Sequence, residues 1–360
     1  MGCCCKKKKS LEIEEKFFIK EENPIVPTVK ELNIIDFQRL KLLGKSSIGQ
    51  VYLVKSKRDN KLYSMKILDK NFIRESNLEE DPFQIEKDLI TKINCPFVED
   101  KKFIFQDKDS LYIIKEFIPG GNLSFHLHKE RRFPNEKAKF YLIEMILAIE
   151  YLHKNNMIYL NLKPRNVLIA RNGHIKLTDY SLSKILKKEK SYTICDTPQY
   201  LPPEILSDNG NEPTVDWWTL GCVFYEMLIG REPYKILSKD SLNEDLYKKR
   251  IFIPDYVTDE AEDLLNQLLE VNPQNRLGFG EDGVDKIKNH PYFKDVKWDD
   301  VKNKKINPPF IPILDNENDL KYFDSGDSTI SGITINNNGF KGLDNSNKSD
   351  GKELMIMNKS

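Results

Sequence analysis

The chain has no surplus of charge: its 360 residues hold 56 Lys and Arg against 56 Asp and Glu, a formal net charge of zero. A nucleic-acid partner usually demands a basic excess, so none is expected. Paired cysteine spacing is missing too. Of six Cys, three are bunched at Cys3, Cys4 and Cys5, while Cys95, Cys195 and Cys222 are scattered without disulfide or zinc spacing. That pattern fits a reducing cytosol. Long apolar runs are absent as well. The longest, from Tyr141 to Ile149, is interrupted by Glu144 and followed by Glu150, so it reads as a buried core helix and not a membrane span. No stretch reads as a secretory signal, and there are no internal repeats.

What the chain does have is a set of spaced motifs. The most informative is Tyr159-Leu160-Asn161-Leu162-Lys163-Pro164-Arg165-Asn166. Upstream lie a glycine-containing run, Leu43-Gly44-Lys45-Ser46-Ser47-Ile48-Gly49-Gln50-Val51, then Lys66 in Tyr63-Ser64-Met65-Lys66, then Glu86 in Gln84-Ile85-Glu86-Lys87. Downstream come Asp179-Tyr180-Ser181, Leu201-Pro202-Pro203-Glu204, Asp216-Trp217-Trp218-Thr219-Leu220-Gly221 and Asn275-Arg276-Leu277-Gly278.

In this order the motifs resemble those of the protein kinase superfamily. Asp216-Trp217-Trp218, Pro308-Pro309-Phe310-Ile311-Pro312 and Tyr322-Phe323-Asp324 resemble the AGC group, and within it the cyclic-nucleotide-dependent kinases. The likeness covers about residues 37 to 328 and implies an α+β bilobal kinase fold, with a small β-rich lobe and a larger helical one. The expected organisation is an acylatable basic segment and linker over 1–36 and a kinase domain over 37–293, divided into lobes at 37–117 and 118–293. An AGC-type extension follows over 294–328, and a tail over 329–360 whose Ser, Gly and Asn content is expected to be disordered.

The resemblance assigns roles residue by residue. Gly44, Ser46 and Gly49 would close over phosphates, with Ser46 in place of the family's middle Gly. Lys66 would hold the phosphates and Glu86 would pair with it. Val51, Ser64, Glu116, Leu123, Leu168 and Phe323 would surround the adenine. Asn166 and Asp179 would ligate Mg²⁺ through oxygen, and Lys163 would stand near the transferred phosphate. ATP and Mg²⁺ are thus the implied cofactors, and a protein is the implied substrate or partner. Asp216 would hold the catalytic-loop backbone, and Arg276 would pair with Glu204.

The departures fall elsewhere. Asn161 stands where the family has the Asp that takes the substrate proton, and a carboxamide cannot take it up near neutral pH. Leu160 replaces an Arg that would grip a phosphorylated Thr193, leaving Lys184 nearby. Asp196 replaces a Gly and Ser181 another. Where basophilic relatives use acids to bind arginines, this chain has Asn122, Arg165 and Gln199, and keeps Glu226. The reading is therefore Mg-ATP binding with Ser/Thr phosphotransfer weak or lost, as in a pseudokinase or scaffold. The alternative is an active Ser/Thr kinase in which Lys163 and Asn161 orient the hydroxyl. A third is a nucleotide-free adaptor, which Lys66, Glu86, Asn166 and Asp179 disfavour.

Two further expectations concern the ends and the back of the cleft. Gly2 is a candidate myristoylation site and Cys3, Cys4 and Cys5 candidate palmitoylation sites, although Lys6 departs from the usual acylation consensus. Together with Lys6 to Lys9 they would place the chain at the cytosolic face of a membrane. The resemblance also puts Lys115 at the gatekeeper position, Glu99 beside it and Lys101 at a place that relatives fill with Leu. An unpaired charge there is costly. Glu99 and Lys115 are expected to form an ion pair, and Lys101 to reach solvent along its stem.

Overall fold

Alternating apolar and polar residues build the strands between Phe37 and Glu116. A computed structural model describes residues 32–46, 49–71, 94–180, 183–185, 198–206, 212–234, 247, 250–323 and a hairpin over 333–336 and 339–342. Strands β1 (Phe37–Ser46), β2 (Gly49–Ser56), β3 (Leu62–Asp69), β4 (Lys101–Gln106) and β5 (Ser110–Glu116) form one antiparallel sheet in the order β1-β2-β3-β5-β4. The period of two sorts its side chains onto two faces. Phe37, Val54, Tyr63, Met65, Tyr112 and Ile114 pack on one, and Leu68, Leu111 and Ile113 on the other.

The larger lobe is organised around α2 (Asn135–Lys154), whose residues from Phe140 to Glu150 are all buried. A helix apolar all round belongs at the centre of a core. It packs against α4 (Thr214–Ile229), which ends at Gly230 in the left-handed conformation. Helix α5 (Asp259–Leu268) buries Ala261, Leu264, Leu265 and Leu268, an i, i+3, i+4, i+7 stripe, and Thr258 caps its start. Shorter elements complete the lobe: α1 (Leu123–Glu130), α3 (Pro203–Leu206), α6 (Gly283–Lys288) and α7 (Trp298–Lys302). Two ribbons frame the cleft, β6 (Met157–Ile158) with β9 (Lys184–Ile185), and β7 (Val167–Ile169) with β8 (Ile175–Leu177).

Buried Glu144 on α2 accepts the Nδ1–H of His174 at 2.5 Å and the Ile175 amide at 2.9 Å. Those bonds tie the β7–β8 turn to the central helix.

Beyond α7 the chain returns along the large lobe to the cleft. The His126 ring lies 4.8 Å from Phe310 and 5.6 Å from Tyr322. Gly121 makes the path possible: its φ is +73°, and a Cβ there would lie 2.2 Å from the Tyr322 carbonyl oxygen. Phe323 then stacks on Phe117, with centroids 5.8 Å apart.

The observed architecture is the α+β bilobal kinase fold. Within residues 329–360, β10 (Ile333–Asn336) pairs with β11 (Gly339–Gly342), and Ile333-Thr334-Ile335 has the β-branched composition that favours a strand. Among the described residues no helix is long and apolar enough to cross a membrane. Gly2, Cys3 to Cys5, Lys6 to Lys9, Glu86, Ser181, Thr193 and Asp196 lie outside the described residues, as do the side chains of Ser46, Lys101 and Lys184.

Candidate active site

The loop carrying Asn161 is held from beneath by α4. Asp216, fully buried in its first turn, accepts the amide hydrogens of Tyr159 and Leu160 at 2.8 Å each. The His153 Nε2–H approaches the same carboxylate at 2.8 Å. Leu160 needs this support because its φ is +60°, a conformation that costs a side-chain-bearing residue about 1–2 kcal/mol. Farther back, the Arg276 guanidinium meets Glu204 in a two-pronged pair at 2.6 and 2.8 Å. It also donates to the Glu270 carbonyl at 2.9 Å and the Thr214 carbonyl at 3.1 Å. A buried pair this fully hydrogen-bonded is the kind that repays its desolvation.

Lys66 and Asp179 meet across the cleft. Lys66 points from β3, is 2% exposed, and places Nζ 2.5 Å from Asp179 Oδ1. Asp179 has φ +62°. Asn161 donates through Nδ2 to the Asp179 carbonyl at 2.9 Å, and Asn166 donates through Nδ2 to the Asn161 carbonyl at 2.7 Å. Asn161, Lys163 and Asn166 are all buried. Because Asn166 uses its nitrogen on the main chain, its carbonyl oxygen is the atom offered to a cation. Among the described residues no three His, Cys, Asp or Glu cluster as a metal cage. Two protein oxygens suit Mg²⁺, which keeps waters and takes substrate phosphates to complete six ligands.

A Cβ on Gly44 would meet nothing within 4 Å, so packing does not require glycine there, whereas one on Gly49 would lie 2.2 Å from the Ile67 carbonyl oxygen. Val51 pairs with Lys66 across β2 and β3. At the strand that joins the lobes, Ser64 donates to the Glu116 carbonyl at 3.2 Å, and Phe323 closes over Phe117. Leu168, half-buried on β7, bridges to Asn122. Leu123, expected against the adenine, is fully buried in the large core and presents no surface to a base. Its position at the start of α1 turns it inward.

The charged back wall is present. Lys115 Nζ lies 3.0 Å from Glu99 Oε2, with both side chains almost wholly buried. Thr178 completes the cluster, accepting from Lys115 at 3.2 Å and donating to Glu99 through a short hydrogen bond. No sequence motif marks Thr178. Its part depends on main-chain bonds that bring residues 97–99 beside 177, from the Leu177 amide to the Phe97 carbonyl at 2.8 Å and from the Glu99 amide to the Leu177 carbonyl at 2.9 Å.

At the other end of the cleft, Asn122 is spent on structure. Its side chain caps α1, accepting the Phe125 amide at 2.8 Å. An Asn just before a helical run carries that signal in the sequence. Arg165 is exposed in the turn Pro164–Asn166, and Gln199 lies in the turn Pro198–Tyr200. Glu226 is the acid that remains. Tyr200 donates a short hydrogen bond to it, but burial and the nearby Glu232 charge push its carboxyl up to about 7.

A model of the protein kinase domain matches residues 37–293. The chain belongs to the protein kinase family. It is 41% identical over 297 residues to the Saccharomyces cerevisiae "Serine/threonine-protein kinase YPK2/YKR2", covering 82% of this chain and 43% of that protein. It is 37% identical over 298 residues to the Dictyostelium discoideum "RAC family serine/threonine-protein kinase homolog", covering 82% and 66%. A third relative is the Gallus gallus "Ribosomal protein S6 kinase 2 alpha", 36% identical over 339 residues, covering 89% and 45%. The kinase thus spans less than two thirds of the length of these relatives. They support the AGC group and do not single out its cyclic-nucleotide-dependent branch.

Proposed function

We propose that this chain is an AGC-type Ser/Thr protein kinase that binds Mg-ATP and transfers the γ-phosphate slowly to protein hydroxyls. The observation that carries the reading is the meeting of Lys66, Asp179, Asn161 and Asn166 in one cleft. Bound Mg-ATP would supply the activated phosphoryl group. Asn166 and Asp179 would hold the cation, Lys66 would neutralise phosphate charge, and Lys163 would lie against the group in transfer. The substrate hydroxyl oxygen would form the new bond to phosphorus as the bond to the ADP oxygen breaks. Asn161 can orient that hydroxyl but cannot keep its proton, which would pass to a phosphoryl oxygen or to water. Loss of a general base typically costs about 10²–10⁴-fold. Transfer of this kind rests largely on positioning and charge, so a slow reaction survives.

A pseudokinase scaffold is the second reading, favoured by Asn161 and by Leu160 in place of a phosphate-gripping arginine. Thermal melting with and without Mg-ATP tests binding, and transfer of labelled phosphate separates the two. Stabilisation without any labelling would leave the scaffold.

Membrane attachment through Gly2, Cys3 to Cys5 and Lys6 to Lys9 belongs to the same proposal, because one acyl chain holds only marginally without a second anchor or a basic patch. Gly2→Ala, or loss of all three cysteines, should release the protein to the soluble fraction. Unchanged membrane fractionation of both variants would refute the anchor.

A further inference from the structure

The substitution that most clouds the chemistry, Asn161, also makes a contact that the residue it replaces could not make. The group 2.9 Å from Asn161 Nδ2 is the main-chain carbonyl of Asp179. A carbonyl oxygen only accepts, so its partner must be the amide nitrogen. A carboxylate at position 161 would set oxygen against oxygen there.

That contact closes a ring. Asn166 Nδ2 donates to the Asn161 carbonyl at 2.7 Å, the Thr178 amide donates to the Asn166 carbonyl at 3.0 Å, and Asn161 Nδ2 reaches the carbonyl of the next residue, Asp179. The two residues beside Asp179 are fixed independently. Tyr159 donates a short hydrogen bond to the Thr178 carbonyl, and the Thr178 hydroxyl is held between Glu99 and Lys115. Tyr180 is buried, donates to the Leu177 carbonyl at 2.8 Å and packs 5.2 Å from the Tyr159 ring. Asp179 itself, at φ +62°, is in a region uncommon for side-chain-bearing residues, although Asp and Asn enter it more readily than most.

We propose that Asn161 is a positioning residue: its carboxamide clamps the main chain of Asp179 in the left-handed conformation, so that the carboxylate faces Lys66 and the cation position. The proposal rests on the reading of Asp179 as a cation ligand, but the clamp is a property of the chain without any ligand. It changes the meaning of the substitution. Asn161 takes away a proton acceptor and adds a bond to the metal-ligand backbone, and restoring an aspartate would undo that bond.

The test compares the full chain with Asn161→Asp and Asn161→Leu, both close in size to the original. The first readout needs no nucleotide: hydrogen exchange of the Thr178 amide, which the ring protects. Opening one net hydrogen bond should raise its exchange about 3- to 10-fold in both variants. The second readout is ADP affinity with and without Mg²⁺. The Mg²⁺-dependent gain should fall several-fold, while Mg²⁺-free affinity stays near the original. Wild-type exchange in Asn161→Asp, with an undiminished Mg²⁺-dependent gain, would overturn the clamp. If the unmodified chain bound no nucleotide, the functional reading would fall and the exchange experiment would still decide the clamp. If Asn161→Leu did not fold, Asn161→Asp alone would carry the test.

Discussion

The two ends of the cleft use their polar residues in opposite ways. Around Asp179, charged side chains meet each other directly: Lys66 pairs with the carboxylate. At the end proposed to take the substrate hydroxyl, polar side chains are engaged within the fold. Asn122 caps a helix, Asn161 binds a carbonyl, and half-buried Glu226 accepts from Tyr200. Among the described residues there, Arg165 is openly exposed. The difference teaches that Asn122 and Asn161 are tied into the fold, so replacing either one also removes a structural hydrogen bond.

The largest effect expected from breaking this contrast lies in the back wall. Lys115→Met would leave Glu99 buried and uncompensated, at a cost of about 3–5 kcal/mol, whereas replacing both partners with apolar residues is often neutral. Glu99→Val combined with Lys115→Met should therefore recover most of the loss in chemical denaturation. Additive losses would mean the pair does not act as one.

Next comes the nucleotide end. Lys66→Ala and Asp179→Ala should each abolish the melting shift given by Mg-ATP, which for a ligand at a hundred times its Kd is worth about 2.7 kcal/mol. A full shift in either variant would detach those residues from the nucleotide.

A smaller effect is expected at the transfer end. Asn161→Asp should gain little activity toward arginine-rich peptides, because Asn122, Arg165 and Gln199 remain and Arg165 repels them. Rapid phosphorylation of such a peptide, by this variant or by the unmodified chain, would contradict the account.

A separate effect is the pH dependence of Glu226. Its carboxyl is raised from 4.5 to about 7, so between those values the folded state binds more protons than the unfolded one. Stability should fall as pH rises through that window and level off above it. Glu226→Gln should flatten that part of the profile, and an unchanged slope would place its cause elsewhere.

Much of the scaffold was legible in the sequence because its parts are charged residues at fixed motif positions. Asp216 under the loop, Glu204 with Arg276, and Glu99 with Lys115 are all where the motifs put them. An ion buried in a core has few affordable partners, so identifying one nearly identifies the other. The Asn cap at Asn122 also had a signal, which the resemblance to a substrate-binding position masked. The direction of Asn161 had none. Its amide meets the carbonyl of Asp179, 18 residues on, whose left-handed backbone no local pattern encodes. Thr178 and the Glu144–His174 pair were hidden for the same reason, since each depends on segments distant in the chain.

The measurement that bears most directly on the account is phosphate transfer from γ-labelled ATP by the purified protein, with Asp179→Asn as the control. Slow labelling of protein Ser or Thr that requires Mg²⁺ and disappears in the control is the expected result. Labelling no faster than the control, in a protein that Mg-ATP demonstrably stabilises, would contradict the kinase reading.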